Sequence, residues 1–181
     1  MTHHKSTYIV IGKTYPTNNY GDLEVLTYNG QWDITVRFLD TGTIAKTSTK
    51  DIKAGKTKDY YRPTIYDVGY LGIGEYRTNT KCYRTWMNML GRCHSPTHKD
   101  FLRYGGKGYY VGDFFRCFQN FALWYYRVCL DNNVDPDNHN YELDKDIKCA
   151  RLGITAKYYD VDTCCLVTRK RNLQQRTLDK Q

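Results

Sequence analysis

Phe114, Phe118, Phe121, Tyr125 and Val128 step along the chain by four, three, four and three residues. That spacing places large apolar side chains on one face of an α-helix, and such a face has to be buried. Phe115, Ala122 and Cys129 broaden it, while Arg116 and Arg127 fall outside. A partner lies upstream. Cys82, Trp86, Met89 or Leu90, and Cys93 repeat with the same period, which predicts a second helix over residues 79–95 ended by Pro96. Arg84 and Arg92 lie off its stripe. Both stripes read as core.

A different periodicity governs the amino-terminal third. Leu23, Val25 and Thr27 alternate with Glu24, Leu26 and Tyr28, and Asn29-Gly30 supplies a hairpin turn. Ile34, Val36 and Phe38 then alternate with Thr35, Arg37 and Leu39. Asp40-Thr41-Gly42 turns the chain again, and residues 43–49 form a third strand. The expected fold class is therefore α+β: a small antiparallel β module or barrel over residues 8–58, then helices. Lys50, Lys53, Lys56 and Lys58 surround Gly55 in a basic loop. Tyr, Gly and Pro63 dominate residues 59–78, which read as a linker packed by its aromatics.

Charge is unevenly placed. Residues 81–130 hold eight Lys/Arg against two Asp/Glu, a net of +6 within a chain of net +8. Residues 131–181 are balanced, with nine of each sign. A concentrated basic surface attracts a polyanion, because DNA binding releases condensed counterions. Within Lys99–Tyr110, Arg103 and Lys107 are interleaved with Tyr104, Tyr109 and three glycines, a composition suited to a phosphate backbone. These glycines lack the spacing of a nucleotide loop, so ATP binding is set aside.

The seven cysteines are odd in number and irregularly spaced, with no signal-like segment before them; this points to free thiols in a reducing cytoplasm. No apolar run approaches the ~20 residues of a membrane span. No paired Cys-x-x-Cys accompanies Cys93, His94 and His98, so zinc is not expected. Asp144 and Asp146, two apart, would share one face of a strand and could hold Mg²⁺ there. After them come a turn through Gly153, a run over Cys164–Val167 and a basic stretch beginning at Arg169. Two short strands followed by a helix suit that layout.

Several segments resemble phage-encoded HNH-type homing endonucleases. They are Tyr83-Arg84-x-Trp86-x-x-Met89-Leu90-x-Arg92-Cys93, Phe118-Gln119-Asn120-Phe121-Ala122-x-Trp124-Tyr125, Leu143-Asp144-Lys145-Asp146-Ile147 and Thr163-Cys164-Cys165-x-Val167. Thr17-Asn18-Asn19-Tyr20-Gly21 and the strands after it resemble the β module joined to many of those enzymes. The resemblance spans roughly residues 12–173. It implies a basic helical DNA-binding segment over residues 79–130 and a ββα metal-nuclease unit over 136–178.

The nuclease pattern is degraded. The resemblance implies a general-base His, an orienting Asn and a second His or Asn on the helix. Residues 141–181 contain no histidine, and His139 is the nearest. Ala156 and Asp162 stand where relatives carry the loop Asn and the Glu of Ser-Pro-Glu-Thr-Cys. Asp is a weaker base than His near neutral pH. The remnant candidates are Asp144, Asp146, Asp162 and Asn172. No cofactor is called for, and Mg²⁺ at Asp144 and Asp146 only if hydrolysis survives.

The expectation is a site-specific duplex-DNA-binding protein descended from a homing endonuclease. It would act as a transcriptional repressor of phage or phage-satellite origin, associated with the nucleoid of a bacterial host. The alternative is a working metal-dependent endonuclease. Expected DNA contacts are Lys46, Lys50, Lys53 and Lys56 in the β module, with Arg84, Arg92, Arg103, Lys107 and Arg116 in the centre. A homodimer would match a palindromic site, though no segment marks a dimer face.

Overall fold

The computed structural model describes residues 8–178, with side chains described through Gln174. The chain is mixed α+β and divides into two compact units between Thr64 and Ile65. That division lies inside the stretch read as a linker.

The first unit is an antiparallel meander of β1 (Thr14–Pro16), β2 (Asp22–Tyr28), β3 (Ile34–Phe38) and β4 (Ile44–Thr47), in that spatial order. Alternation did what period-two patterning requires: Leu23, Val25, Ile34, Val36 and Phe38 are buried on one face. Thr27 does not join them, because the β2–β3 register shifts between Val25 and Thr27. Asn29-Gly30 is not a two-residue turn. Tyr28 pairs with Ile34, so residues 29–33 form a longer loop closed by Asn29 N–H donating to the Asp33 carbonyl at 3.0 Å.

The basic stretch is also more regular than a loop. Strand β4 stops at Thr47, and α1 (Thr49–Lys53) begins behind Ser48. The Ser48 Oγ accepts the Asp51 N–H at 3.1 Å and donates to the Asp51 carboxylate at 2.8 Å. This local exchange satisfies an otherwise orphaned helix-end donor. It also lets Ile52 bury itself against the sheet.

In the second unit α2 (Lys81–His94) packs on α4 (Phe118–Asp131). Cys82, Trp86, Met89, Leu90 and Cys93 are buried, as the stripe requires. The other predicted helix is broken. α3 (Asp113–Arg116) ends at Cys117, whose φ of −82° and ψ of 122° are extended. Tyr70 inserts its backbone at the break: its N–H donates to the Arg116 carbonyl at 3.0 Å, and its carbonyl accepts from Phe118 N–H at 2.9 Å. Phe114 is consequently exposed, and Trp124 joins the core in its place. The glycines upstream make this approach possible. A Cβ on Gly69 would lie 2.4 Å from Leu90 Cδ1, and one on Gly72 would lie 2.5 Å from Cys117 Sγ.

The carboxyl-terminal part holds β6 (Tyr141–Asp144), α5 (Asp146–Leu152), β7 (Tyr158–Tyr159), β8 (Cys165–Thr168) and α6 (Arg169–Leu178). Strands β6 and β8 pair antiparallel, and α6 packs on both. Strand β7 pairs instead in parallel with β5 (Tyr110–Val111). Leu143, Tyr159 and Cys164 share one core with the helical segment, so residues 65 onward fold together. No helix among the described residues is long and apolar enough to cross a membrane.

Replacing Ser48 with Ala should cost about 1 kcal/mol of stability, the usual loss for a Ser N-cap. Urea unfolding of the full chain measures it; an unchanged midpoint would mean that the cap contributes nothing.

Candidate nucleic-acid interface

A polar stripe flanks the buried Cys82–Cys93 stripe on α2. Lys81, Thr85, Asn88 and Arg92, spaced four, three and four apart, line one side of an open cavity of about 400 Å³. His98 and Lys99 border it from the turn after α2; Glu142 and Asn172 border it from β6 and α6. His139 lines it as well. The sequence reading passed over most of these residues, although their period is the polar complement of the core stripe.

Several lining groups are already engaged. The Lys81 ammonium donates to the Tyr141 carbonyl at 2.8 Å and also to the Asn138 carbonyl. Burial lowers its pKa, opposed by nearby acids including Asp137 and Glu142. Asn172 is buried and donates from Nδ2 to Glu142 Oε2 at 2.7 Å. Arg169 approaches the other Glu142 oxygen at 3.8 Å. His98 Nδ1 accepts the Asp100 N–H at 3.2 Å, which leaves the neutral ring's proton on Nε2.

Arg92 departs from its expected surface position. Its guanidinium carbon lies 4.9 Å from the Tyr104 ring centroid and 4.5 Å from that of Tyr159. Part of the residue still meets solvent and the cavity, but Nε is enclosed without a hydrogen-bond partner.

The other expected contacts fall into distinct settings. Arg84 is exposed on α2, and Arg103 and Lys107 are exposed on short 3₁₀ turns that pack against that helix. Arg103 has only a loose pairing with Asp100 at 3.9 Å. Arg116 is committed to Asp113 at 3.0 Å and to the Val111 carbonyl. In the first unit Lys50, Lys53 and Lys56 are exposed, whereas Lys46 is paired with Asp33 at 2.5 Å. The glycines of the second basic segment have structural roles. A Cβ on Gly105 would lie 2.2 Å from the Cys93 carbonyl oxygen, and Gly108 closes its turn at a φ of +80°.

The carboxylates do not form the expected pair. Asp144 ends β6, and its buried carboxylate accepts the Ile147 N–H at 2.8 Å, starting α5. Asp146 belongs to that helix and pairs at 2.5 Å with the buried Lys145 ammonium. Asp144 lies in the strand and Asp146 in the helix, so the two do not share a strand face. Asp162 accepts the Tyr158 hydroxyl at 2.7 Å, a bond that raises the Tyr158 pKa to about 12. Among the described residues no three His, Cys, Asp or Glu side chains gather as a metal-holding group. Burial pushes the Cys93 thiol up to about 11 and that of Cys164 up to about 12, so both stay protonated near neutrality. The chain matches no family model, no curated protein and no solved structure.

At the end of α2, His94 Nε2 accepts the Val111 N–H at 3.2 Å, tying the helix to β5. Burial and then the Arg116 charge lower the His94 pKa. The folded state therefore binds fewer protons than the unfolded chain, and stability rises with pH. His94 should contribute fully above its ordinary range near pH ~6.5 and lose that contribution as pH falls below it. Urea unfolding between pH 5 and 8 should show a shallower acid-side decline in His94→Gln. Identical profiles would contradict this role.

Proposed function

We propose that this protein binds double-stranded DNA, sequence-specifically, and that it regulates transcription by occluding its site rather than by cutting it. The observation that carries this reading is the outward face of α2. It presents Arg84 and Asn88 to solvent, with the half-buried Lys81 beside them, next to turns that add Lys99, Arg103 and Lys107. Cations at this density position a protein on phosphates, while Arg and Asn side chains can read base edges. The exposed Lys50, Lys53 and Lys56 of the β module supply a second set of phosphate contacts.

The motif order that resembles homing endonucleases supports the same partner. The loss of cutting is argued from the carboxylates. Asp144 caps a helix and Asp146 pairs with Lys145, so each of the two already has a structural role in the fold. A DNA binder of that descent, freed of hydrolysis, has the chemistry of a phage or phage-satellite repressor.

Mobility shifts across a salt series on genomic fragments captured by the full-length protein test the proposal. The logarithmic salt slope should fall by about one unit in each of Arg84→Ala and Lys107→Ala. Arg116→Ala should change it less, because Asp113 already holds that charge. The captured DNA should stay intact with Mg²⁺ or Mn²⁺. Unchanged slopes in both exposed variants would remove the interface, and specific nicking abolished by Asp144→Ala would restore the endonuclease.

A further inference from the structure

We propose that the cavity bordered by α2, the His98–Lys99 turn and β6 is a binding site for a single phosphoryl group, with Arg92 as its principal ligand. This deepens the DNA-binding reading but rests on separate observations. Arg92 is a permanently charged group held in place by two aromatic rings. Arg92 forms no ion pair among the described residues, lines the cavity, and has an enclosed Nε without a hydrogen-bond partner. Buried polar donors are nearly always satisfied, and with Nε enclosed it is the cavity-facing end of the guanidinium that is left to meet an acceptor from outside.

The surroundings select an oxyanion. Lys81 spends two N–H groups on carbonyls and keeps a third. His98 carries its proton on Nε2, because Nδ1 is occupied. Lys99 adds an exposed ammonium at the border. Of the two acids lining the same space, Glu142 accepts from Asn172 and lies 3.8 Å from Arg169, and Asp100 lies 3.9 Å from Arg103. A guanidinium fork with several flanking N–H donors suits the tetrahedral, multiply accepting oxygens of phosphate. At about 400 Å³ the cavity holds a phosphoryl group with part of its sugar.

The phosphate could belong to a strand interior or to a free or terminal phosphate, and the experiment separates these. The Arg92 side-chain Nε–H resonance of full-length ¹⁵N-labelled protein is followed during titration with inorganic phosphate. It is then followed with one short duplex bearing either a 5′-phosphate or a 5′-hydroxyl. Phosphate should shift the resonance saturably. Lys99→Ala should weaken the apparent affinity several-fold, and Arg92→Lys, which keeps charge but loses the fork, at least tenfold. Equal shifts with both duplexes would assign the site to strand phosphodiesters; a shift only with the phosphorylated duplex would assign it to a strand end. No saturable shift with inorganic phosphate, or affinity unchanged in Lys99→Ala, would overturn the proposal, and neither result needs Arg92→Lys to fold. If phosphate binds but no duplex does, the pocket stands and the DNA reading falls. If duplex binds without moving the Arg92 signal, the reverse holds.

Discussion

Much of the second unit depends on one buried bond: the Trp86 indole N–H donates to the Phe115 carbonyl at 2.7 Å. It joins the middle of α2 to the last turn of α3, where the helical path is about to break. A buried indole N–H without a partner would be costly, so the bond favours one roll of α2 about its axis. The Phe118 and Trp86 ring centroids are 5.4 Å apart, and Gly69 leaves room for the Trp86 ring, from which a Cβ there would lie 3.1 Å. Once Trp86 is fixed inward, Lys81, Thr85, Asn88 and Arg92 are placed on the flank of the helix that lines the cavity. The cavity wall is thus a consequence of the core.

Arg92 closes the arrangement from the opposite direction. It touches Tyr104, from the segment after α2, and Tyr159, from the strand that pairs with β5. A surface cation would gain little from exposed neighbours. Here the aromatic faces stabilise the charge while leaving its donors uncommitted. The same residue therefore links the carboxyl-terminal segment to the helices and supplies the cavity's most enclosed positive charge.

Periodicity made the elements legible. The Cys82–Cys93 stripe and most of the alternation in β2 and β3 translated into buried faces, because side-chain spacing decides which residues share a face within an unbroken element. The breaks were hidden. Nothing local in Phe114–Val128 announces that Tyr70, more than forty residues upstream, inserts between α3 and α4. Asp144-Lys145-Asp146 read as strand because its spacing is that of a strand. The Asp144 carboxylate instead captures the Ile147 N–H and starts a helix. The short α1 could have been recognised from Ser48-x-x-Asp51, a capping pattern masked by the lysines around it. Of the site, the exposed cations were visible in sequence. The inward turn of Arg92 and the gathering of His98, His139 and Asn172 were not, since they come from three distant segments.

The central claim is that the outward face of α2 and its adjoining turns meet duplex DNA. Lysine acylation footprinting of the full chain, free and bound to its captured fragment, tests it most directly. The account predicts strong protection of Lys99 and Lys107 and unchanged labelling of Lys148, which lies on α5 and donates to the Val161 carbonyl. Protection of Lys148 with Lys99 and Lys107 left open would contradict it.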